Sequence, residues 1–325
     1  MNVNLDILRR GIFLVSLSLF FINFALPVQA KGLGANAVEI GALFSLFTLC
    51  LLVLRPLIGY GLDRFGRRPF FLVAMLAYVV ANALYALAGD LPAMYGARLM
   101  QGIGAAVLLI TVDTITADLT TPATRLTEMG RNVEVSTRAS IAGAFVGFFL
   151  VGAVPLMAWT ASFGVFAMAA LAGLVFAAMK LPESHSQASR LAARGLEFRI
   201  SPALRRLMPV IFVAGFANAL VMPIYLIWLQ DRFTIPPDRL AIAFLPAGIV
   251  FAVLPSKLAR VVGRWGNVRA LALGLCVAGG LYFLLPHLRG FPVIVLVFTL
   301  ASVGWALVEP ARKALVAEWG AEGAT

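Results

Sequence analysis

One pattern runs the length of this chain: about twenty apolar residues, then a short charged connection. Gly11–Ala30 is the first such stretch and holds no ionisable side chain. A helix needs about 20 apolar residues to cross the hydrocarbon of a bilayer. Inside lipid each backbone N–H and C=O must be satisfied within the protein, which favours helices for runs of this length. The pattern predicts spans at 11–30, 38–59, 69–89, 92–117, 139–154, 159–179, 207–230, 240–257, 270–288 and 291–312. Ala139–Met179 is uncharged but too long for one crossing, and Pro155 with Trp159 marks a turn inside it. Val28-Gln29-Ala30 has the look of a signal-peptidase site, a reading opposed by the length of the segment before it.

Composition closes off other classes. The chain is 61% hydrophobic and 13% charged, against about 25% charged in soluble domains. Its net charge of +11 lies in the gaps between apolar runs. Nucleic-acid binding needs such charge gathered on one soluble face, so that partner is excluded. Cys50 and Cys276 sit inside apolar segments, as packing residues do. His185 and His287 are each alone near a segment end, so no metal site is expected. There is no phosphate-binding glycine loop, no metal-ligand cluster and no nucleophile–base arrangement. The chain reads as neither an enzyme nor a cofactor binder.

Lysine and arginine set the orientation. With the N-terminus in the cytoplasm, the outer connections hold only Lys31, Arg232, Arg239 and Arg289. Nearly all the other basic residues fall on the inner side, among them Arg9, Arg10, Arg64, Arg67, Arg68, Arg125, Arg131, Arg138 and Lys180. Arg55 and Arg98 remain within spans. The expectation is a multi-pass protein of the plasma (inner) membrane, with the lipid bilayer as its surroundings.

A shift of 200 residues brings two parts of the chain into step. Arg64-Phe65-Gly66 meets Arg264-Trp265-Gly266, Pro92 meets Pro292, and Gly104 meets Gly304. Parallel repeats of six-helix halves are a known transporter design. Three regions follow: a six-helix bundle at 1–180, a cytoplasmic linker at 181–206 and a four-helix second bundle at 207–325. Residues 126–180 find no counterpart, because Thr325 stands opposite Arg125. The expectation is a chain lacking the last two of twelve helices, either as a fragment or by nature.

The densest charge in the first half is Gly59-Tyr60-Gly61-Leu62-Asp63-Arg64-Phe65-Gly66-Arg67-Arg68, read as a tight turn between spans two and three. Span four carries Arg98-Leu99-Met100-Gln101-Gly102-Ile103-Gly104, and span six ends in Leu181-Pro182-Glu183-Ser184. On these three motifs the chain resembles the major facilitator superfamily. The resemblance implies an all-α integral membrane protein with an MFS-like two-bundle fold. It implies secondary active transport of a small-molecule substrate by alternating access, with protons as the coupling ion and efflux or uptake left open. The alternative is a degenerate, non-transporting member acting as a membrane sensor or scaffold. The chain departs from the family pattern in its second copy, with Gly263 for Asp63, Phe298 for Arg98 and Ala301 for Gln101. It also lacks the Gly-Pro pair of many drug/proton antiporters in span five.

Two groups of residues carry the expected mechanism. Gly59, Asp63, Arg64, Gly66, Arg67, Arg68 and Asp118 form a conformational latch. Asp63 would cap the positive N-terminus of a helix in the other half, and the arginines would balance it and engage Asp118. The bland reading is a solvated turn that sets topology by charge alone. Arg98, Gln101, Asp113, Asn23, Asn218 and Glu309 are the candidates for substrate or proton handling. An arginine in mid-span costs about 2.5–3.5 kcal/mol on insertion scales. Arg98 is therefore expected to face a wet cavity or a carboxylate, or to snorkel to the outer surface. Asp113 is expected either to pair with Arg55 or to carry protons. Glu309 either titrates or pairs with Arg312, one helical turn away.

Overall fold

The computed structural model describes residues 3–154, 157–184, 201–233 and 237–321. Among them every regular element is helical. The first stretch holds α1 (Val3–Ser16), α2 (Ser18–Gly32), α3 (Ala37–Phe65), α4 (Arg67–Leu87), α5 (Leu91–Asp118) and α6 (Pro122–Ala153). After it come α7 (Ala158–Lys180), α8 (Pro202–Phe233), α9 (Pro237–Val253), α10 (Pro255–Trp265), α11 (Asn267–Leu284) and α12 (Phe291–Ala321). Among the described residues seven helices are long and apolar enough by themselves to cross a bilayer, and two bent pairs raise the number to nine. The seventh predicted span lies within α8.

Local chemistry sets the helix ends. Asn36 opens α3 with a capping box: its Oδ1 accepts from the Val38 and Glu39 N–H groups at 2.9 and 3.0 Å, and Glu39 Oε2 accepts from Asn36 N–H at 2.8 Å. Asp90 Oδ1 accepts from Ala93 N–H at 2.8 Å and starts α5. Gly66, at φ 95°, separates α3 from α4, and Gly266, at φ 90°, separates α10 from α11. With ψ at 173° and 141° these residues lie in a positive-φ region essentially reserved for glycine, where an L side chain costs about 1–3 kcal/mol, so both positions call for glycine.

The residues fall into two compact units. Of the described residues, the first comprises 3–121, 135–154 and 157–184, and the second 122–134, 201–233 and 237–321. In the first unit α4 packs on α5 and α7, and α3 packs on α5. Its core runs from Leu8, Ile12 and Phe71 through Ala105 and Val112, with a second cluster around Phe21, Tyr85 and Phe163. In the second unit α12 is the common neighbour of α8, α9, α10 and α11.

The repeat reappears as contacts. A Cβ at Gly104 would lie 3.1–3.3 Å from Tyr78, Ala77 and the Ala74 carbonyl. A Cβ at Gly304 would lie 2.8–3.2 Å from the Gly274 carbonyl and Ala278. These pairs stand at the same 200-residue offset. Each glycine lets two helix backbones approach, the usual way in which helices associate where no hydrophobic effect drives them.

Several boundaries differ from the sequence expectation. The Gly59–Arg68 stretch is not a turn. Its first seven residues continue α3, and Gly66 alone breaks the helix. The polar connection 120–138 is helical from Pro122, so it forms the first turns of α6. Span one is interrupted at Leu17, where α6 presses in. A Cβ on Gly143 would collide with the Leu17 carbonyl. Ser140 Oγ meanwhile donates to Ser16 O at 3.1 Å. Span eight bends by 59° between α9 and α10. Proline at 255 has no N–H for an intrahelical bond and clashes with the preceding turn.

Candidate functional site: a charged helix junction and a buried arginine

Four helix ends of the first unit meet around Arg67. Its guanidinium is 8% exposed and makes three contacts. Nε donates to Asp118 Oδ2 at 3.0 Å, Nη2 lies 3.3 Å from Asp63 Oδ1, and Nη1 donates to Leu62 O at 2.7 Å. Arg67 thereby ties the C-terminus of α3 and the end of α5 to the start of α4. The end of α7 closes the arrangement. Glu183 Oε1 accepts from Arg67 N–H at 2.9 Å, and Oε2 accepts from Arg68 N–H at 3.2 Å. One carboxylate thus covers both leading N–H groups of α4, where negative charge is favoured. Arg68 Nη2 donates to Ala178 O at 2.6 Å, and Ser184 Oγ donates to Asp118 Oδ2 at 3.2 Å.

The predicted latch residues therefore divide. Arg67, Arg68, Asp118 and Gly66 lie inside one network. Asp63 is at its edge, 60% exposed and held only on one side by Arg67. Arg64 leaves the network: its Nη1 donates to Tyr60 Oη at 3.0 Å and its guanidinium lies over Phe65. Gly59 faces open space, whereas a Cβ on Gly61 would strike the Phe70 ring. Gly61, not Gly59, is the glycine that this junction requires for space. In sequence Glu183 and Gly61 have a place in motifs but no role of their own. The clue to Glu183 was its place one turn past span six, beside Pro182.

The junction has a counterpart at the same offset. Asn267 Nδ2 donates to Glu318 Oε2 at 3.0 Å, where the first copy has Arg67 and Asp118. The contact survives with its cationic partner replaced by a neutral amide.

Arg98 lies on α5 and is 3% exposed. It neither snorkels to the surface nor meets a carboxylate. Nε donates to Leu43 O at 3.2 Å, and Nη1 donates to Gln101 Oε1 at 2.8 Å. The rings of Phe44 and Phe47 cover it at 5.0 and 4.6 Å from their centroids. Desolvated cation–π contacts of this kind are worth about 2 kcal/mol or more. Tyr85 Oη donates to the same Gln101 Oε1 at 3.0 Å. Gln101 thus accepts from two donors, and α3, α4 and α5 share one buried polar centre.

The remaining candidates are scattered. Asp113 is half-buried on α5, while Arg55 is exposed, and no Arg55–Asp113 pair exists among the ion pairs of the described residues. Asn23 is exposed on α2. The Asn218 side chain lies outside the described residues. Glu309 pairs with Arg312 at 2.8 Å in the second unit. That pair borders a cavity of about 350 Å³, together with Phe251, Tyr282, Ser302 and Trp305. Among the described residues no group of His, Cys, Asp and Glu could hold a metal ion.

Comparison with known proteins places this architecture. Residues 11–319 match the family model described as Major Facilitator Superfamily. The Multidrug resistance protein 1 of Bacillus subtilis (strain 168) is 23% identical over 313 residues, covering 95% of this chain and 80% of that protein. The quinolone resistance protein NorA of Staphylococcus aureus is 21% identical over 321 residues, covering 96% of this chain and 80% of its own length. Among solved structures, the human organic anion transporter MFSD10 (TETRAN) superposes with a TM-score of 0.78 at 19% identity, over 98% of this chain and 87% of that one. The proton:xylose symporter XylE gives 0.77 at 15% identity, over 96% and 80%. The chain therefore belongs to the Major Facilitator Superfamily of membrane transporters.

Proposed function

We propose that the chain moves a small amphiphilic organic solute outward across the cell membrane by alternating access, drawing on the proton gradient. The supporting observation is its likeness, along 95% of its length, to a protein named for multidrug resistance. The named proton coupling of XylE and the half-buried carboxylate of Asp113 in α5 support the choice of coupling ion. On this reading the Arg98–Gln101 centre holds α3, α4 and α5 at fixed spacing while the solute passes, and the N-terminus lies in the cytoplasm. The test uses everted membrane vesicles, an imposed pH gradient and ethidium as the probe. Gradient-dependent uptake that a protonophore abolishes is expected. Normal insertion with no gradient-dependent movement sinks the transport reading and leaves that of a membrane sensor or scaffold.

Asp63 is proposed as the mobile element of the junction. Its side chain is 60% exposed and its ion pair with Arg67 is long, at 3.3 Å, so it can exchange partners at little cost. Asp63→Asn is expected to cut transport at least tenfold with membrane insertion unchanged, and full transport in that variant removes the latch.

A further inference from the structure

We propose that the cleft where α10 ends and α11 begins is a binding site for a phosphate group, carried by an anionic lipid or free in solution. The site lies within the second unit, at the break that Gly266 makes between the two helices. The apolar span of α11 starts at Asn267, which puts this end at the level of the lipid headgroups. Two openings of about 540 and 530 Å³ meet there, and Gly263, Arg264, Gly266 and Asn267 border both. Arg269 and Trp319 help to wall the first, Arg260 the second.

The first copy of the repeat shows what this place in the fold binds. There the two leading N–H groups of α4 are covered by one carboxylate, that of Glu183, at 2.9 and 3.2 Å. Arg64, Arg67 and Arg68 stand against Asp63, Asp118 and Glu183, so charge of both signs is present in equal number. In the second copy the number of cations is kept and that of anions is not. Arg260, Arg264 and Arg269 border the clefts, Gly263 stands where the first copy has Asp63, and Glu318 is the one carboxylate among the lining residues. Glu318 is itself engaged by Asn267 Nδ2 at 3.0 Å. Among the described residues none of the three arginines has a hydrogen bond or an ion pair, and no protein acceptor covers the N–H groups of Asn267 and Val268. The local balance is three positive charges against one negative, at a helix N-terminus that itself favours an anion.

A phosphate answers each of these features. Its oxygens accept from the leading N–H groups of a helix, where the peptide dipoles also favour its charge. The planar fork of arginine matches two of its oxygens at once. Its negative charge offsets the local surplus of positive charge. Trp265 and Trp319 border the first opening, and tryptophan settles at the headgroup level of a membrane, which favours a lipid as the source. Basic clefts at the ends of spanning helices are seats for such headgroups. Arginines that only set topology by their charge require neither a cleft nor an uncovered pair of N–H groups.

The site does not rest on the transport reading, and its test reads local protection and not flux. The full chain is placed in lipid nanodiscs, and amide hydrogen exchange is followed by mass spectrometry in the peptide that holds Asn267 and Val268. Three media are compared: phosphatidylcholine discs, discs that also contain phosphatidylglycerol, and phosphatidylcholine discs in a buffer with inorganic phosphate. Exchange at these amides is expected to slow about tenfold with phosphatidylglycerol, because a ligand that binds only the closed form lowers the open population. Slowing by inorganic phosphate in phosphatidylcholine discs assigns the phosphate to solution instead. Joint replacement Arg264→Gln and Arg269→Gln is expected to remove the protection. Gly263→Asp places a carboxylate where a Cβ meets open space, supplies the anion that the first copy has there, and is expected to remove the protection as well. Arg289→Gln removes the same charge from an exposed position beyond the far end of α11, and is expected to keep it. Equal exchange in all three media overturns the proposal, as does protection that survives the loss of both arginines or is lost equally in Arg289→Gln. Should the double variant fail to insert, the wild-type comparison and Gly263→Asp decide the matter.

Discussion

Removing the Arg67 side chain tests whether the junction is built or merely decorated with charge. The loss can be assembled contact by contact. The bond to Asp118 is charge-assisted between an 8% and a 26% exposed partner, and such bonds contribute about 1.5–3 kcal/mol. The pair with Asp63 involves a carboxylate that is 60% exposed, so it is discounted to at most about 0.5–1 kcal/mol. Leu62 O keeps the Gly66 N–H at 3.2 Å when the guanidinium leaves, which limits that loss to about 1 kcal/mol. Together Arg67→Ala is expected to cost about 3–5 kcal/mol. For a unit of this size that corresponds to an apparent melting shift of about ten degrees, read by fluorescence-detected size exclusion after heating in detergent. Arg67→Lys restores charge but not the fork that reaches three acceptors, so it recovers less than half of the shift. Arg64→Ala is the internal control. Its contacts are to exposed Tyr60 and Phe65, and a change within about 0.5 kcal/mol is expected. A melting point for Arg67→Ala within about two degrees of wild type, or equal damage from Arg64→Ala, refutes the assignment of Arg67 as the tie between α3, α4 and α5.

Three further outcomes follow from the same geometry. Gly143→Ala is expected to abolish stable protein in the membrane fraction, because its Cβ collides with the Leu17 backbone, whereas Gly164→Ala, which faces open space, leaves yield unchanged. Arg98→Lys keeps the charge but loses stacking on Phe44 and Phe47; a cost of about 1–2 kcal/mol in thermal stability is expected, with Arg98→Met costing more because Gln101 and Leu43 O then lose a donor. Glu183→Gln keeps one acceptor for the N-terminus of α4 but loses the charge, and a loss of about 1 kcal/mol is expected, readable as faster amide exchange at Arg67 and Arg68.

Much of this arrangement was legible in the sequence, and the remainder has identifiable causes. The apolar spacing of the spans and the glycine at 66 act within a few residues, so local chemistry fixes them. The helix through Gly59, Tyr60 and Gly61 was not readable. Two glycines cost an isolated helix about 2 kcal/mol, and the term that overrides this is the Phe70 ring seated on Gly61. The environment of Arg98 was hidden for a related reason. Its covering rings belong to a different span, and only packing brings Phe44 and Phe47 over it. Glu183 lies 116 residues from the N–H it accepts, a distance over which sequence pattern carries no register. The start of α6 reads as a connection because residues 122–138 are mostly polar or charged, which hides the apolar periodicity of a span.

The two copies of the repeat separate frame from chemistry. Positions where backbones touch recur with the same partners: Gly66 and Gly266 break helices at φ 95° and 90°, and Gly104 and Gly304 receive the neighbouring helix at 74–78 and 274–278. Positions that act through a side chain diverge. Arg98 and Gln101 become Phe298 and Ala301, both fully buried, and the Arg67–Asp118 ion pair becomes Asn267–Glu318. The physical reason is that a Cβ at a backbone contact displaces two helices at once, while a lost charge pair can be replaced by apolar packing without moving the frame. Where charge remains partnered among the described residues it ties helices or helix ends together. In the first unit that is the Arg67 junction and the Arg98 centre. In the second they are the Glu309–Arg312 pair and Glu134, whose carboxylate accepts from the Ser256 N–H at the break before α10.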